Sequence, residues 1–91
     1  MRRHLAIRVT GRVQGVFFRA SAKFEADRLS ITGFARNEPD GSVRIEAEGE
    51  GGDLERFVAW CGRGPDFAKV AAVEVHDGEP RHFSAFVIDQ V

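Results

Sequence analysis

A glycine-containing stretch between a strand pattern and a helix pattern most constrains what this chain can fold into. Residues 4–10 alternate apolar and polar side chains, as a strand with one buried face does. Gly11 and Gly15 then mark a loop, and apolar residues recur at helical spacing from Arg19 to about Leu29. A glycine turn before a helix can direct successive backbone N–H groups into one concavity, where the helix N-terminus adds partial positive charge. The stretch therefore predicts an oxyanion or phosphate cradle, to which Arg19 can add charged donors.

The loop does not match the two commonest phosphate-binding motifs. The nucleoside-triphosphate loop requires Lys and then Ser or Thr after its second glycine, whereas Gly15 is followed by Val16 and Phe17. The dinucleotide fingerprint G-x-G-x-x-G is also absent. Spacing alone leaves a second interpretation open, in which the glycines serve only the geometry of a strand-to-helix turn.

The nine residues from Gly11 to Arg19 match a more particular pattern. They read G-R-V-Q-G-V-F-F-R and resemble the signature of the acylphosphatase family, G-x-V-Q-G-V-x-[FY]-R, at every fixed position. A second signature of that family is matched by residues 33–37, which read G-F-A-R-N, and then by Gly41, Val43 and Gly49. Two signatures in the family's order extend the resemblance over nearly the whole chain.

The resemblance implies a site that hydrolyses acyl phosphates. In the family, loop amides and an arginine hold the phosphoryl group, and an asparagine on the second strand orients the attacking water. The implied catalytic residues are Arg19 and Asn37. The implied phosphate-binding set is Gln14, Gly15, Val16, Phe17, Phe18 and Arg19. The implied enzyme is an acylphosphatase, a hydrolase of acid anhydrides that releases carboxylate and inorganic phosphate without metal, cofactor or covalent intermediate.

The residue types present suit activated phosphates. An acyl phosphate expels a carboxylate, whose conjugate acid has a pKa of about 4, so the leaving group needs no general acid at neutral pH. Phosphoryl transfer mainly requires charge neutralisation and in-line positioning, which one guanidinium, a ring of N–H groups and an amide can supply. A phosphate monoester would call for an acid, a nucleophile or metals. The three histidines, His4, His76 and His82, lie in different predicted elements and lack metal-ligand spacing.

The order of the predicted elements indicates an α+β fold of the ferredoxin-like, split βαβ type with an additional C-terminal strand. Strands are predicted over residues 4–10, 31–37, 42–49, 69–75 and 83–88, and helices over residues 19–29 and from Asp53 to about Gly62. Two helices should cover one face of a mainly antiparallel sheet, as the resemblance also implies. The position of the C-terminal strand in the sheet stays open.

Patterning within the elements predicts which side chains are buried. In the third strand, alternation directs Val43, Ile45 and Ala47 toward the core, and Arg44, Glu46 and Glu48 toward water. The eight phenylalanines are expected in the core, and Cys61 is expected to be a small buried hydrophobe. Ser30, at the end of the first helix, stands where many relatives have glycine, the usual residue for a left-handed helix stop.

Composition narrows the class of protein. The 91 residues are expected to form one domain over 1–91. A formal net charge of -1 argues against a nucleic-acid partner, and no apolar run approaches the length of a membrane span. The lone Cys61 cannot form an internal disulfide. We therefore expect a cytoplasmic monomer whose partners are a small acyl phosphate and inorganic phosphate, although the physiological substrate and biological role stay open.

Two alternatives come from other functional classes. A non-catalytic anion-binding or regulatory domain would share the fold and the cradle, and similar domains occur at the N-terminus of hydrogenase-maturation carbamoyltransferases. The presence of both Arg19 and Asn37 favours the enzyme. An RNA-binding domain of the same element order would stack bases on exposed aromatic side chains of its central strands. The predicted third strand, residues 42–48, has no aromatic residue, which disfavours that reading.

Overall fold

The computed structural model describes residues 1–90, in which two helices pack on a five-stranded mixed sheet. The elements are β1 (Arg2–Arg12), α1 (Phe18–Arg28), β2 (Thr32–Asn37), β3 (Val43–Glu50), α2 (Gly51–Arg63), β4 (Lys69–Gly78) and β5 (Phe86–Asp89). The strand order is β4-β1-β3-β2-β5, and every pair is antiparallel except β2 with β5. The predicted ferredoxin-like α+β fold is confirmed.

The C-terminal strand is shorter than predicted and lies at an edge of the sheet. Residues 83–85 were expected to belong to it, but β5 begins at Phe86 and pairs in parallel with β2. The backbone N–H of Phe83 donates to a side-chain oxygen of Glu48 at 3.1 Å instead of to a neighbouring strand. That hydrogen bond holds Phe83 away from the ladder, and hydrogen bonding to β2 begins at Ala85, whose carbonyl oxygen accepts from the N–H of Gly33 at 2.9 Å.

The hydrophobic core lies between the helices and one face of the sheet. The alternating residues Leu5, Ile7 and Val9 of β1 are buried together with the helix residues that contact them. The sheet-facing positions Ala22 and Ala26 of α1 are fully buried, and their small side chains let the helix backbone approach the sheet. The core residues of α2 are Leu54, Phe57, Trp60 and Cys61. Burial raises the pKa of the Cys61 thiol to about 12, as expected for an inert hydrophobe.

The prediction that Glu46 and Glu48 face water is wrong. Both lie on the helix-free face of the sheet, yet their exposed fractions are only 3% and 2%. The imidazole of His4 lies between them, with Nε2 3.0 Å from Glu46 Oε1 and Nδ1 2.7 Å from Glu48 Oε2. The connection between β4 and β5 covers these three residues, because the N–H groups of Arg81 and Phe83 donate to Glu48. We call His4, Glu46 and Glu48 the His4 cluster.

The phenylalanines are divided between the core and the surface. Phe18, Phe57 and Phe86 are buried, as predicted. Phe17, Phe24 and Phe67 are instead 74%, 69% and 75% exposed. The small Ala22 and Ala26 occupy the sheet-facing positions of α1, so Phe24 of the same helix lies on its outer side.

The end of α1 has the hydrogen-bond pattern of a Schellman motif with serine in place of glycine. Ser30 has a φ of 58°, the N–H of Ile31 donates to Ala26 at 2.8 Å, and the N–H of Ser30 donates to Asp27 at 3.3 Å. A serine in the left-handed region costs up to about 1 kcal/mol relative to glycine.

Neither helix of the described residues is long and apolar enough to cross a membrane.

Candidate active site

The sheet topology brings the C-terminal ends of three strands to the same end of the sheet. Both β1 and β2 pair antiparallel with β3, so they run parallel to each other, and β5 runs parallel to β2. The C-terminal ends of β1, β2 and β5 therefore lie at the same end of the sheet. The loop after β1, the end of β2 at Asn37 and the end of β5 at Asp89 form the candidate site there.

Gly11, near the end of β1, and Gly15, in the loop that follows, are required for different reasons. Gly11 has a φ of 117° at a register shift between β1 and β4, and an added Cβ would lie 2.2 Å from the carbonyl oxygen of Lys69. Gly15 has a φ of 75°, but an added Cβ would meet no atom within 4 Å. Gly11 therefore allows β4 to approach closely, whereas Gly15 provides a left-handed turn and leaves open space beside the loop.

The loop and the first turn of α1 present a run of backbone N–H groups that have no acceptor in the described part of the chain. The first backbone hydrogen bond of α1 runs from Ser21 to the carbonyl of Phe17 at 3.0 Å, so the N–H groups of residues 18–20 have no intrahelical partner. No side chain caps the helix, and its first turn contains no acidic residue. Within residues 1–90, the N–H groups of residues 14–17 also donate to no protein group. This run, reinforced by the helix dipole, can bind an anion.

An open pocket of about 360 Å³ lies beside these amides. Its lining residues are Val13, Gly15, Phe17, Phe18, Arg19, Ala20, Asn37, Ile88 and Gln90. The structure thus brings together Arg19 and Asn37 from two distant motifs. Of the expected phosphate-binding set, Gln14 and Val16 do not line the pocket. Ile88 and Gln90 were not anticipated, since the position of β5 could not be read from local pattern.

The guanidinium of Arg19 is oriented by the end of β5. Its Nη1 donates to the carbonyl oxygen of Asp89 at 3.1 Å, and the side chain is half-buried at the pocket. A guanidinium has five N–H donors in a planar fork. One contact with the backbone therefore fixes the orientation of the group, while other donors are available to an oxyanion in the pocket.

Asn37 ends β2 and lines the pocket. Its backbone is held by pairing with Val43 of β3, and the turn that follows closes with a hydrogen bond from the N–H of Glu38 to Ser42 at 2.9 Å. Among residues 1–90, the side-chain amide of Asn37 has no hydrogen-bond partner. It can therefore both donate to and accept from a ligand or a water molecule.

The turn after Asn37 is stabilised by an ionised carboxylate. Asp40 accepts hydrogen bonds from the hydroxyl of Ser42 at 2.6 Å and from the backbone N–H of Ser42 at 2.9 Å. Arg8 donates to the other carboxylate oxygen at 2.7 Å. The hydrogen bonds from Ser42 and Arg8 hold the pKa of Asp40 well below its usual range. The turn therefore keeps its negative charge, paired with Arg8, at neutral pH.

Gln14 connects the loop to that turn. Its Nε2 donates to the carbonyl oxygens of Glu38 at 2.8 Å and Ser42 at 2.9 Å. Both acceptors belong to the turn that follows Asn37, so the side chain of Gln14 joins the two halves of the site. The sequence predicted only that the backbone of Gln14 takes part in the cradle, because the side-chain partners lie 24 and 28 residues away.

The site defines a class: within residues 1–90, an α+β domain whose strand-to-helix loop presents unpaired backbone N–H groups, with an arginine and an unpaired side-chain amide at the pocket. The family model for acylphosphatase matches residues 5–88. An acylphosphatase from Nocardioides sp. is 49% identical over 86 residues, which are 94% of this chain and 87% of that relative. An acylphosphatase from Anaeromyxobacter sp. is 56% identical over 72 residues, 79% of this chain and 77% of the relative. The chain belongs to the acylphosphatase family.

Solved structures agree with this assignment. The acylphosphatase from Bacillus subtilis superposes with a TM-score of 0.93 at 37% identity, covering 98% of this chain and 99% of that one. The acylphosphatase from Coxiella burnetii gives a TM-score of 0.94 at 32% identity, with coverage of 97% and 93%. Full-length HypF, in a phosphate- and nucleotide-bound form, matches with a TM-score of 0.92 at 27% identity, but the match covers only 12% of that chain.

Proposed function

We propose that this acylphosphatase hydrolyses acyl phosphates in the pocket between the β1–α1 loop and the end of β2. The observation that carries the proposal is that Arg19 and Asn37 line one pocket beside a run of unpaired backbone amides. Arg19 and the amides of residues 14–18 are the phosphate-binding groups, and Arg19 and Asn37 are the catalytic residues.

The proposed reaction is a direct displacement by water. The loop amides and the Arg19 guanidinium bind the phosphoryl oxygens, where negative charge is concentrated in the transition state. The side chain of Asn37 accepts a hydrogen bond from the attacking water and orients it toward phosphorus. A water oxygen–phosphorus bond forms while the bond between phosphorus and the acyl oxygen breaks. The carboxylate leaves with the bonding electron pair, and the proton of the water passes to the solvent or the phosphate product.

These residues are sufficient for hydrolysis of an acyl phosphate because of the geometry of the loop and the chemistry of the leaving group. The leaving carboxylate has a conjugate acid with a pKa of about 4, so it departs unprotonated at neutral pH. The amides are held in place before the substrate arrives, by the first turn of α1 and by the Gln14 hydrogen bonds. Preorganised donors of this kind stabilise developing charge without rearranging during the reaction. The mechanism uses no metal, cofactor or covalent intermediate.

The proposal also covers the oligomeric state, the location and the partners of the enzyme. We propose that residues 1–91 act as a single-domain, cytoplasmic monomer whose partners are a small acyl phosphate and inorganic phosphate. The formal net charge of -1 and the single cysteine support this setting. Neither nucleic acid nor a membrane is part of it.

A non-catalytic phosphate-binding domain is the second candidate. It is supported by the likeness to full-length HypF, which was solved in a phosphate- and nucleotide-bound form and of which this fold makes up a small part. Such a domain would use the amides and Arg19 but would not need an amide to orient water. Asn37 lines the pocket, and among residues 1–90 its side-chain amide has no hydrogen-bond partner, which favours the enzyme.

The test compares hydrolysis of benzoyl phosphate at neutral pH, with EDTA present, by the wild type and by Asn37→Ala. We expect rapid metal-free turnover by the wild type and a loss of kcat of about 100-fold or more in the variant, because the water loses its orientation. Thr32→Ala, at the opposite end of β2, is the matched control and should keep wild-type turnover. Circular dichroism checks that all three proteins are folded.

Two other outcomes of this assay would change the proposal. Equal turnover by Asn37→Ala and the wild type would remove Asn37 from the mechanism but keep the activity. An inactive wild type that still binds inorganic phosphate would favour the non-catalytic candidate.

A further inference from the structure

An aromatic side chain at the pocket has no part in the core or in the proposed phosphate chemistry. Phe17 lines the pocket, and 74% of its surface is exposed. Only its backbone belongs to the proposed phosphate-binding loop. A phenyl ring cannot donate to a phosphoryl group, so its side chain needs another explanation.

The pocket offers more apolar surface than a phosphoryl group can use. Val13, Ala20 and Ile88 line it together with Phe17. The phosphoryl oxygens are accounted for by the loop amides and Arg19, and the attacking water by Asn37. The part of the substrate that remains is the acyl group, which is also the part that can be apolar.

The backbone of Phe17 is held in a restricted conformation. Phe17 has a φ of 65° and a ψ of 27° and directly precedes the first residue of α1. This left-handed conformation is uncommon for a bulky residue and persists only where the surrounding structure holds it. Because the backbone is already fixed, contact with a ligand has to order only the two side-chain torsions of Phe17.

We propose that Phe17 is the contact for the acyl group and that the enzyme prefers acyl phosphates with an aromatic or bulky apolar acyl group. The inference rests on the proposed function of the pocket and adds the class of substrate. The ring packs against the acyl group, while the phosphoryl end is bound by the amides and Arg19. Acetyl phosphate, whose acyl group is a single methyl on the carbonyl, has little surface to contact the ring.

The first experiment measures kcat/KM for benzoyl phosphate and for acetyl phosphate and takes their ratio. The ratio cancels any effect on the loop that both substrates share. We expect Phe17→Ala to lower the ratio about three- to tenfold, as for the loss of one aromatic contact. Phe24→Ala is the matched control: Phe24 is also an exposed phenylalanine, at 69%, but does not line the pocket. Its ratio should stay at the wild-type value.

A second experiment measures binding without turnover. Calorimetry with benzoylphosphonate and acetylphosphonate, in which a stable carbon–phosphorus bond replaces the scissile link, gives the affinity of each protein for the two acyl groups. We expect the wild type to bind the benzoyl compound more tightly and Phe17→Ala to lose most of that preference. An unchanged ratio in Phe17→Ala, or equal affinities in the wild type, would overturn the proposal. A wild type that discriminates between the phosphonates but hydrolyses neither acyl phosphate would support the acyl contact and refute the proposed hydrolysis.

Discussion

At the residue scale, the side chains that perform the proposed chemistry were predictable, but the side chain that joins them was not. Arg19 and Asn37 stand in short linear patterns, so each could be assigned from its neighbours. The role of the Gln14 side chain depends on Glu38 and Ser42, which become its neighbours only after β2 and β3 pair. We therefore assign Gln14 as a positioning residue that sets the loop against the turn after Asn37.

Replacing Gln14 with leucine should lower kcat more than it weakens phosphate binding. The variant has a similar size but loses both hydrogen bonds to the turn, so the loop and Asn37 are no longer held together. A displacement of about 1 Å in an active site can cost 100-fold in rate, and we expect a loss of about 10- to 100-fold in kcat for benzoyl phosphate. Inhibition by inorganic phosphate should change less, because the amides and Arg19 remain. Steady-state kinetics measures both. A variant with reduced stability but wild-type kcat would limit Gln14 to a structural role.

At the element scale, β3 shows why alternation predicts the direction of a side chain better than its exposure. Glu46 and Glu48 point away from the core as their spacing predicts, but the β4–β5 connection covers them. Burial raises the pKa of Glu48, but this effect is outweighed by hydrogen bonds from the Arg81 N–H, the His4 ring and the Phe83 N–H. The net pKa of Glu48 therefore lies below its ordinary value of 4.5.

The lowered pKa of Glu48 predicts acid sensitivity. A carboxyl group whose folded-state pKa is depressed contributes stability that is fully present above its unfolded value of about 4.5. That stability is lost as the pH falls through the folded-state pKa. We expect Glu48→Gln to lower the free energy of unfolding at pH 7 by about 2 kcal/mol, since the backbone N–H groups of Arg81 and Phe83 lose a buried, charged acceptor. We also expect stability to fall less steeply with acid below about pH 4.5. Urea unfolding between pH 7 and pH 3 measures both effects.

The matched control is Glu50→Gln on the same strand. Glu50 pairs with the N-terminal ammonium group at 2.7 Å, but both partners are largely exposed, so the loss of its charge should change stability little. If Glu48→Gln and Glu50→Gln behaved alike at pH 7, the His4 cluster would not be a buried source of stability.

At the scale of the whole molecule, the strand order assembles the site. Because β5 lies beside β2, Ile88 and Gln90 line the pocket and the Asp89 carbonyl accepts a hydrogen bond from Arg19. The elements α1, β2 and β5 thus meet at one end of the sheet. Phosphate bound there would contact elements from distant parts of the chain, so binding and global stability should be linked.

Inorganic phosphate should therefore stabilise the folded protein through Arg19. A ligand at 100 times its dissociation constant adds about 2.7 kcal/mol to the free energy of unfolding, and each kcal/mol raises Tm by roughly 4–8 °C in a domain of this size. Thermal unfolding in phosphate and in chloride at equal ionic strength measures the difference. We expect Arg19→Ala to abolish most of this shift and Arg63→Ala, at the end of α2, to retain it. An equal shift in both variants would show that phosphate does not act at the proposed site.

The sequence by itself determined the features that depend on residues close together in the chain. Hydrophobic periodicity predicted the helices and strands and their order along the chain. The two short signatures identified the family and the residues proposed for the site. These signals are local because backbone propensity and the spacing of buried faces act over a few residues.

Only the tertiary structure decided the features that need distant partners. The edge position of β5, the burial of the His4 cluster, the exposure of Phe17 and the hydrogen bonds of Gln14 depend on which segments come together. Glu48 accepts its hydrogen bond from Arg81 across 33 residues of sequence. Whether a polar group is buried depends on the partners that satisfy it, and such partners exist only once the sheet has assembled.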